Sequence, residues 1–365
     1  MKRRATILIG GLLTLLMATG CEREITGDVA EVDNNRDNCL ECHSGYLDQA
    51  QGEWANSIHA SGNNIDYTNR GGSDCTRCHN QQGFVQFLET GELPDVPFET
   101  VSAIGCFACH NPHETGTLEL RSQAAYTLEN GDVFDHGKAN LCVHCHHSRI
   151  SAESITDDFE VTSTHWGTHH GPQGDLLNGS NGWEFPGEGY NFPKSPHRLV
   201  VEDACVGCHM GNPRTHVGYD LGGHSFNMES EETTETLSGL CADASCHGST
   251  VKEYDFLADH DYDGDGVREG YQTEIDGLLE SLAVLLEGQG VLEDNEPVEG
   301  TIADANLAGA LYNYIFLEED RSHGIHNFKY AKALIDASID YVSQLPARTP
   351  SGDLWSVQPA LIKSH

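Results

Sequence analysis

Cys142-Val143-His144-Cys145-His146 is one of six stretches of one kind, and their reading decides the fold. The others are Cys39-Leu40-Glu41-Cys42-His43, Cys75-Thr76-Arg77-Cys78-His79, Cys106-Phe107-Ala108-Cys109-His110 and Cys205-Val206-Gly207-Cys208-His209, with the stretched Cys241-Ala242-Asp243-Ala244-Ser245-Cys246-His247. Two thiols followed at once by an imidazole form the attachment signature of a c-type haem. The chemistry needs that order. The thiols add across the two vinyl groups of one haem, and the next imidazole swings under the iron as proximal ligand. Zinc knuckles and redox dithiols also pair cysteines, but they do not demand His after every second Cys. A disulfide framework would not give this uniform doublet spacing. The pattern therefore predicts six covalent haems on those twelve cysteines. His43, His79, His110, His146, His209 and His247 are the proximal ligands.

From first Cys to first Cys the steps are 36, 31, 36, 63 and 36 residues, an array with one haem per short module. Mean hydropathy is −0.43, too polar for a conventional apolar core. The haems themselves are expected to be the core, wrapped by short helices and loops with little sheet. Gly, Asn and Pro crowd residues 171–196, which read as loop. The chain holds 57 acidic and 20 basic residues, a net charge of −37. That argues against nucleic acid as a partner, because phosphate binding needs clustered Lys and Arg. It equally opposes adhesion to an anionic membrane surface.

The chain has 21 His, and fifteen remain after the six proximal ones. A second axial ligand on each iron would need six of these. The strongest candidates stand beside Gly, Pro or aromatic residues near a motif: His59, His113, His170, His197, His224 and His326. His136, His147, His165, His169, His216, His260 and His323 are reserves. His147 directly follows a proximal His, a position from which a neighbouring haem is reachable. His144 lies inside its own motif, and His365 is terminal.

The runs HHGPQGDLLNG, SPHRLVVEDACVGCHMG, GGHSFNM and SHGIHNFKYAKALIDASI carry a resemblance. They look like the large bacterial multihaem cytochrome c superfamily. It includes the pentahaem ammonia-forming nitrite reductases and the octahaem hydroxylamine- and tetrathionate-converting enzymes. The resemblance covers most of residues 39–345. It implies a chain of closely spaced haems, bis-histidine ligation for transfer haems and a helical C-terminal region. It places distal ligands at His59, His113, His170, His197, His224 and His326. One departure matters: the nitrite reductases bind their catalytic haem through C-x-x-C-K, and no motif here ends in Lys.

The first twenty residues read as a targeting segment. Lys2, Arg3 and Arg4 precede an apolar run, Ala5 to Met17, that is short for a membrane span. Ala18-Thr19-Gly20 then leads to Cys21. Small residues before a Cys resemble a lipoprotein cleavage box, although Ala18 stands where Leu is usual. The reading is export with lipidation at Cys21; an ordinary signal peptide with an odd thiol is the alternative. The mature protein would lie in the periplasm or at the cell surface, attached to a membrane only by lipid.

Past the motifs, Asp261, Asp263, Asp265 and Gly266 match loop positions 1, 3, 5 and 6 of an EF-hand calcium loop. Gln272 stands at position 12 instead of Glu, leaving Glu269 or Glu274 to complete the shell. A solvated acidic turn is the competing reading. Helices follow from Tyr271, over roughly 303–318 and over roughly 327–345, where Pro346 stops the last. The layout is a signal segment 1–20, a linker 21–38, a haem region 39–250, an acidic loop 251–270, helices 271–346 and an extended tail 347–365.

Three functions compete. The first is electron transfer between redox partner proteins of the cell envelope. A reductase of nitrogen or sulfur oxyanions is the second, and it needs one open haem with a polar distal pocket. The third is a homo-oligomeric extracellular filament. Six haems, enough His to close every iron and no substrate motif favour the first.

Overall fold

The computed structural model describes residues 45, 47–62, 68–115, 117–186, 190, 195–211, 218–230, 233–242, 247–248 and 253–346. Cys21, Cys39, Cys42, His43, His216, Cys246 and the tail from residue 347 lie outside them. The fold is mainly helical with extensive loops, and its described sheet is three two-stranded antiparallel pairs.

Short helices thread the motif region: α1 (Asp48–Ala55), α2 (Ile58–Ser61), α3 (Thr76–His79), α4 (Gln81–Thr90), α5 (Cys106–Cys109), α6 (Pro112–Thr115), α7 (Ala139–Val143), α8 (Gln173–Asn178), α9 (Pro196–Val200) and α10 (Cys205–His209). Four motifs fall on or at the end of such a turn. One helical turn suits them because residues three apart share a face, so both sulfurs reach the same side. The longest helix here, α4, is bounded by local chemistry. The Asn80 side chain accepts from the Gly83 amide at 2.8 Å, and Gly91 closes the end with φ +72. The 171–196 stretch is not all loop. Gln173–Asn178 winds into α8, because Leu176 and Leu177 find burial and Gly179 supplies a left-handed stop at φ +68.

Three longer helices close the described chain: α11 (Tyr271–Gly288), α12 (Ala305–Asp320) and α13 (Phe328–Ser343). Their apolar stripes join one core with Val161, Leu176 and Phe185. Helix α12 sits at its centre and is buried on most faces. It is also read by polar contacts. Asn313 accepts from the Trp183 amide at 2.7 Å and donates to the Trp183 carbonyl at 3.0 Å. Gly309 has no alternative, since a Cβ there would lie 2.2 Å from the Trp183 indole.

Small pairings complete the frame: β1 (Tyr126–Thr127) with β2 (Val133–Phe134), and β4 (Leu292–Glu293) with β5 (Glu296–Pro297). β3 (Phe159–Val161) pairs with β6 (Gly300–Ile302), setting Phe159 opposite Ile302 and Val161 opposite Gly300. That ladder ties the motif region to the helices. Among the described residues, no helix is long and apolar enough to cross a membrane.

Candidate haem sites

The motif cysteines from different modules lie close together. The Cys78 thiol contacts that of Cys145, and Cys142 contacts Cys205. Cys109 neighbours Cys142, and Cys208 neighbours Cys241. No disulfide joins the described cysteines. In space the 142–146 motif is therefore central, with the motifs at 75, 106 and 205 around it and the 241 motif beyond the last.

The histidines are arranged in facing pairs. Ring centroids of His79 and His169 are 6.1 Å apart, and those of His59 and His146 are also 6.1 Å apart. His110 faces His224 at 6.4 Å, His209 faces His326 at 6.4 Å, and His197 faces His247 at 6.0 Å. Each pair joins one motif His to one His from outside the motifs. A metal–imidazole bond is about 2 Å long, so two imidazoles trans on one metal place their centroids about 6 Å apart. Both ring planes then contain the ligand axis, which leaves the angle between them unrestricted. The observed angles run from 42° to 71°.

Neighbouring acceptors turn these rings the right way. Nδ1 of His110 donates to the Glu119 carbonyl at 3.4 Å, and Nδ1 of His146 to the Gln173 side-chain oxygen at 3.1 Å. His209 donates to the Phe226 carbonyl at 3.1 Å, His197 to the Ile325 carbonyl at 3.0 Å, and His326 to Asp320 Oδ1 at 2.7 Å. His224 Nδ1 lies 3.5 Å from Glu53 Oε2. A proton held on Nδ1 leaves the Nε2 lone pair for a metal. Burial keeps most of these imidazoles neutral, the form that ligates. It pushes His59 down to about 4, helped by His146, and His169 to about 4, helped by Arg149. His326 differs: burial opposes its charge, but Asp320 outweighs that and raises it.

A c-type haem fits this donor set. The thiols needed for attachment are not spent on each other, two imidazoles stand at the right separation, and a cationic group waits for an anion. Arg198 Nη1 is buried with no hydrogen-bond partner, while its Nε reaches His136 Nε2 at 2.6 Å. A haem propionate would suit it.

Four of the six expected distal residues stand in these pairs: His59, His197, His224 and His326. The other two do not. His113 is exposed on α6 and its ring meets Phe107 at 5.3 Å. His170 turns outward to Glu319, and His169 takes the place facing His79. Both residues have left-handed backbone, φ +58, which is uncommon away from glycine. The two rings stay side by side, 5.1 Å apart at 38°, and the sequence carries no mark of which one faces His79. Among the reserves, His147 has both nitrogens engaged. Nδ1 meets the Ser148 carbonyl at 2.7 Å, and Nε2 accepts from the Tyr126 hydroxyl at 3.1 Å.

The Asp261, Asp263 and Asp265 carboxylates converge within 4.8 Å of one another. Gln272 reaches away, to the Ser322 carbonyl at 3.2 Å. Glu274 is buried and accepts from the amides of Tyr262, Asp263 and Glu269, so its oxygens already serve the loop backbone.

No known family profile matches the chain. It is similar to the C-type polyheme cytochrome OmcB of Geobacter sulfurreducens, at 23% identity over 364 residues, covering 76% of this chain and 45% of OmcB. The C-type polyheme cytochrome OmcC of the same organism is 23% identical over 320 residues, covering 73% of this chain and 36% of OmcC. The chain thus spans less than half the length of either. Among solved structures, the outer cell wall cytochrome OcwA aligns with a TM-score of 0.46 at 21% identity, over 80% of this chain and 49% of that one. An undecaheme cytochrome from the S-layer of Carboxydothermus ferrireducens aligns at 0.49 and 17% identity, over 86% and 46%. By its motifs and its relatives, the chain is a multihaem c-type cytochrome.

Proposed function

We propose that this chain carries electrons between redox partners of the cell envelope through six bis-histidine c-type haems. The facing pairs carry the proposal: each described motif His already has a second imidazole opposite it. Six-coordinate iron exchanges electrons and cannot bind a substrate without losing a ligand. The motifs at 142, 205 and 241 form a row along which electrons pass, and those at 75 and 106 both join it at 142. When bound, the haems supply the redox-active iron. The chain's own part is to hold two neutral imidazoles at each iron, orient them through Nδ1 and exclude water.

His169 is proposed as the distal ligand opposite His79 in place of His170. The chain is further proposed to be exported and lipidated at Cys21, meeting a membrane only through that lipid. The acidic loop keeps two readings, a calcium site on Asp261, Asp263 and Asp265 or a solvated turn.

An EPR spectrum of the oxidised protein, with haem quantification, tests the function. Six haems, all low-spin, with a reduced spectrum unmoved by carbon monoxide, are expected. A native high-spin haem that binds carbon monoxide and turns over nitrite, hydroxylamine or tetrathionate would replace the relay with a reductase.

A further inference from the structure

We infer that Asp320 is a positioning residue that makes the His209–His326 iron the lowest in reduction potential of the five described sites. The inference rests on the bis-histidine reading above. Asp320 is the last residue of α12 and is 3% exposed. Its Oδ1 accepts from His326 Nδ1 at 2.7 Å. Its Oδ2 accepts from the Ser322 amide at 3.2 Å and from the Ser322 hydroxyl.

The other acceptors differ in kind. His110, His197 and His209 donate to backbone carbonyls, and His146 to a side-chain amide. These are neutral. His224 has a carboxylate nearby, but Glu53 Oε2 stands 3.5 Å from Nδ1 and also accepts from the His224 amide at 2.9 Å. Among the described pairs, only His326 has a carboxylate oxygen within 3 Å.

A carboxylate pulls on the Nδ1 proton more strongly than a carbonyl does. The imidazole gains anionic character and becomes a better donor to the metal. Ferric iron carries one more positive charge than ferrous, so it gains more from that donation. A buried negative charge beside the iron acts in the same direction. Arg321 does not offset it, since that guanidinium is exposed and reaches toward Glu319.

The place of Asp320 in the helix argues against a role in helix stability. A carboxylate at a helix C-terminus faces the negative end of the macrodipole. The following loop is also strained, with φ +59 at Arg321 and +50 at His323, both in the left-handed region. That turn brings His326 back over Asp320. His326 lies within electrostatic reach of both His146 and His197. The low-potential iron would therefore stand in the interior of the row, where electrons cross it and do not collect.

The test is a spectroelectrochemical titration of the haem-loaded protein. Asp320→Asn keeps the shape and removes the charge. One haem should shift to higher potential while every haem stays low-spin, and Asp320→Glu should return that haem toward its original potential. Ser322→Ala removes one donor competing for Asp320, so the same haem should shift the other way. Unmoved potentials in Asp320→Asn, or in Ser322→Ala if the first variant does not fold, would overturn the inference while leaving the ligand pairs standing. His326→Ala separates the two levels. A new high-spin haem supports the ligand reading, and its absence would overturn that reading together with this inference.

Discussion

The helices from 271 to 343 and the motif region before them fill their interiors in different ways. The helices share one continuous core of Leu, Ile, Tyr and Phe around α12. Among the described residues, the motif region has two small patches of its own besides what it lends to that core, one of Leu128, Phe134, Ala139, Val143, Leu177 and Ala204, and one of Phe84, Ala108 and Leu141. Apolar burial is the dominant favourable term in folding, and small clusters supply little of it. The helical region can be held by its own side chains. Residues 148–186 of the motif region pack on that helical core through Ala152, Ile155, Val161, Leu176 and Phe185, so it is the motif stretches outside them whose packing is expected to rest on haems.

Removing the central haem should break that contrast most visibly. Cys142→Ser with Cys145→Ser strips the motif that touches its neighbours at Cys78 and Cys205. Residues 75–145 and 195–248 should become sensitive to limited proteolysis, mapped by mass spectrometry, while 148–186 and 271–343, which share one core, stay protected. Equal protection of both regions would mean that the motif region stands without its central haem.

A smaller effect is expected from the other side. Leu311 on α12 is fully buried, and Leu311→Ala should cost about 2–5 kcal/mol in denaturant unfolding. The haem absorption spectrum of the folded variant should not move. A changed haem spectrum would show that the two regions are one cooperative unit.

The acidic loop should respond least. A ligand that binds only the folded state stabilises it by mass action, by about 2.7 kcal/mol at a hundredfold excess over Kd. Chelation should lower Tm if Asp261, Asp263 and Asp265 hold calcium. An unchanged melting curve, with haem spectra intact, assigns the loop to solvent.

The class of the protein was legible because its chemistry is local. A thiol, a second thiol and an imidazole lie within one turn, and neither tertiary contact nor burial is needed to read them. The C-terminal helices were legible from their 3–4 rhythm, and their observed bounds differ from the expected ones by two residues or fewer. The pairing of histidines was not legible. His59 meets His146 and His110 meets His224 across long stretches of loop, where no periodicity constrains register. Whether His169 or His170 faces His79 is decided by tertiary placement, with Glu319 meeting the second of them. The carboxylate behind His326 looks in sequence like any other acid in a chain with 57 of them.

The contacts between Cys78 and Cys145, and between Cys142 and Cys205, bear on how the protein is made. In the fold, each of these thiols touches a thiol of another module, an oxidation partner wherever the fold forms ahead of haem attachment. Thiolate attack and oxidation join whichever sulfurs meet first. A single wrong bond, Cys78 to Cys145, would disable two modules at once, because each has given up one of the two sulfurs it needs. With the proposed export to a compartment where disulfides persist, loading each module before the fold brings the sulfurs together would avoid that bond. The compactness that would suit the finished relay is a hazard to its assembly.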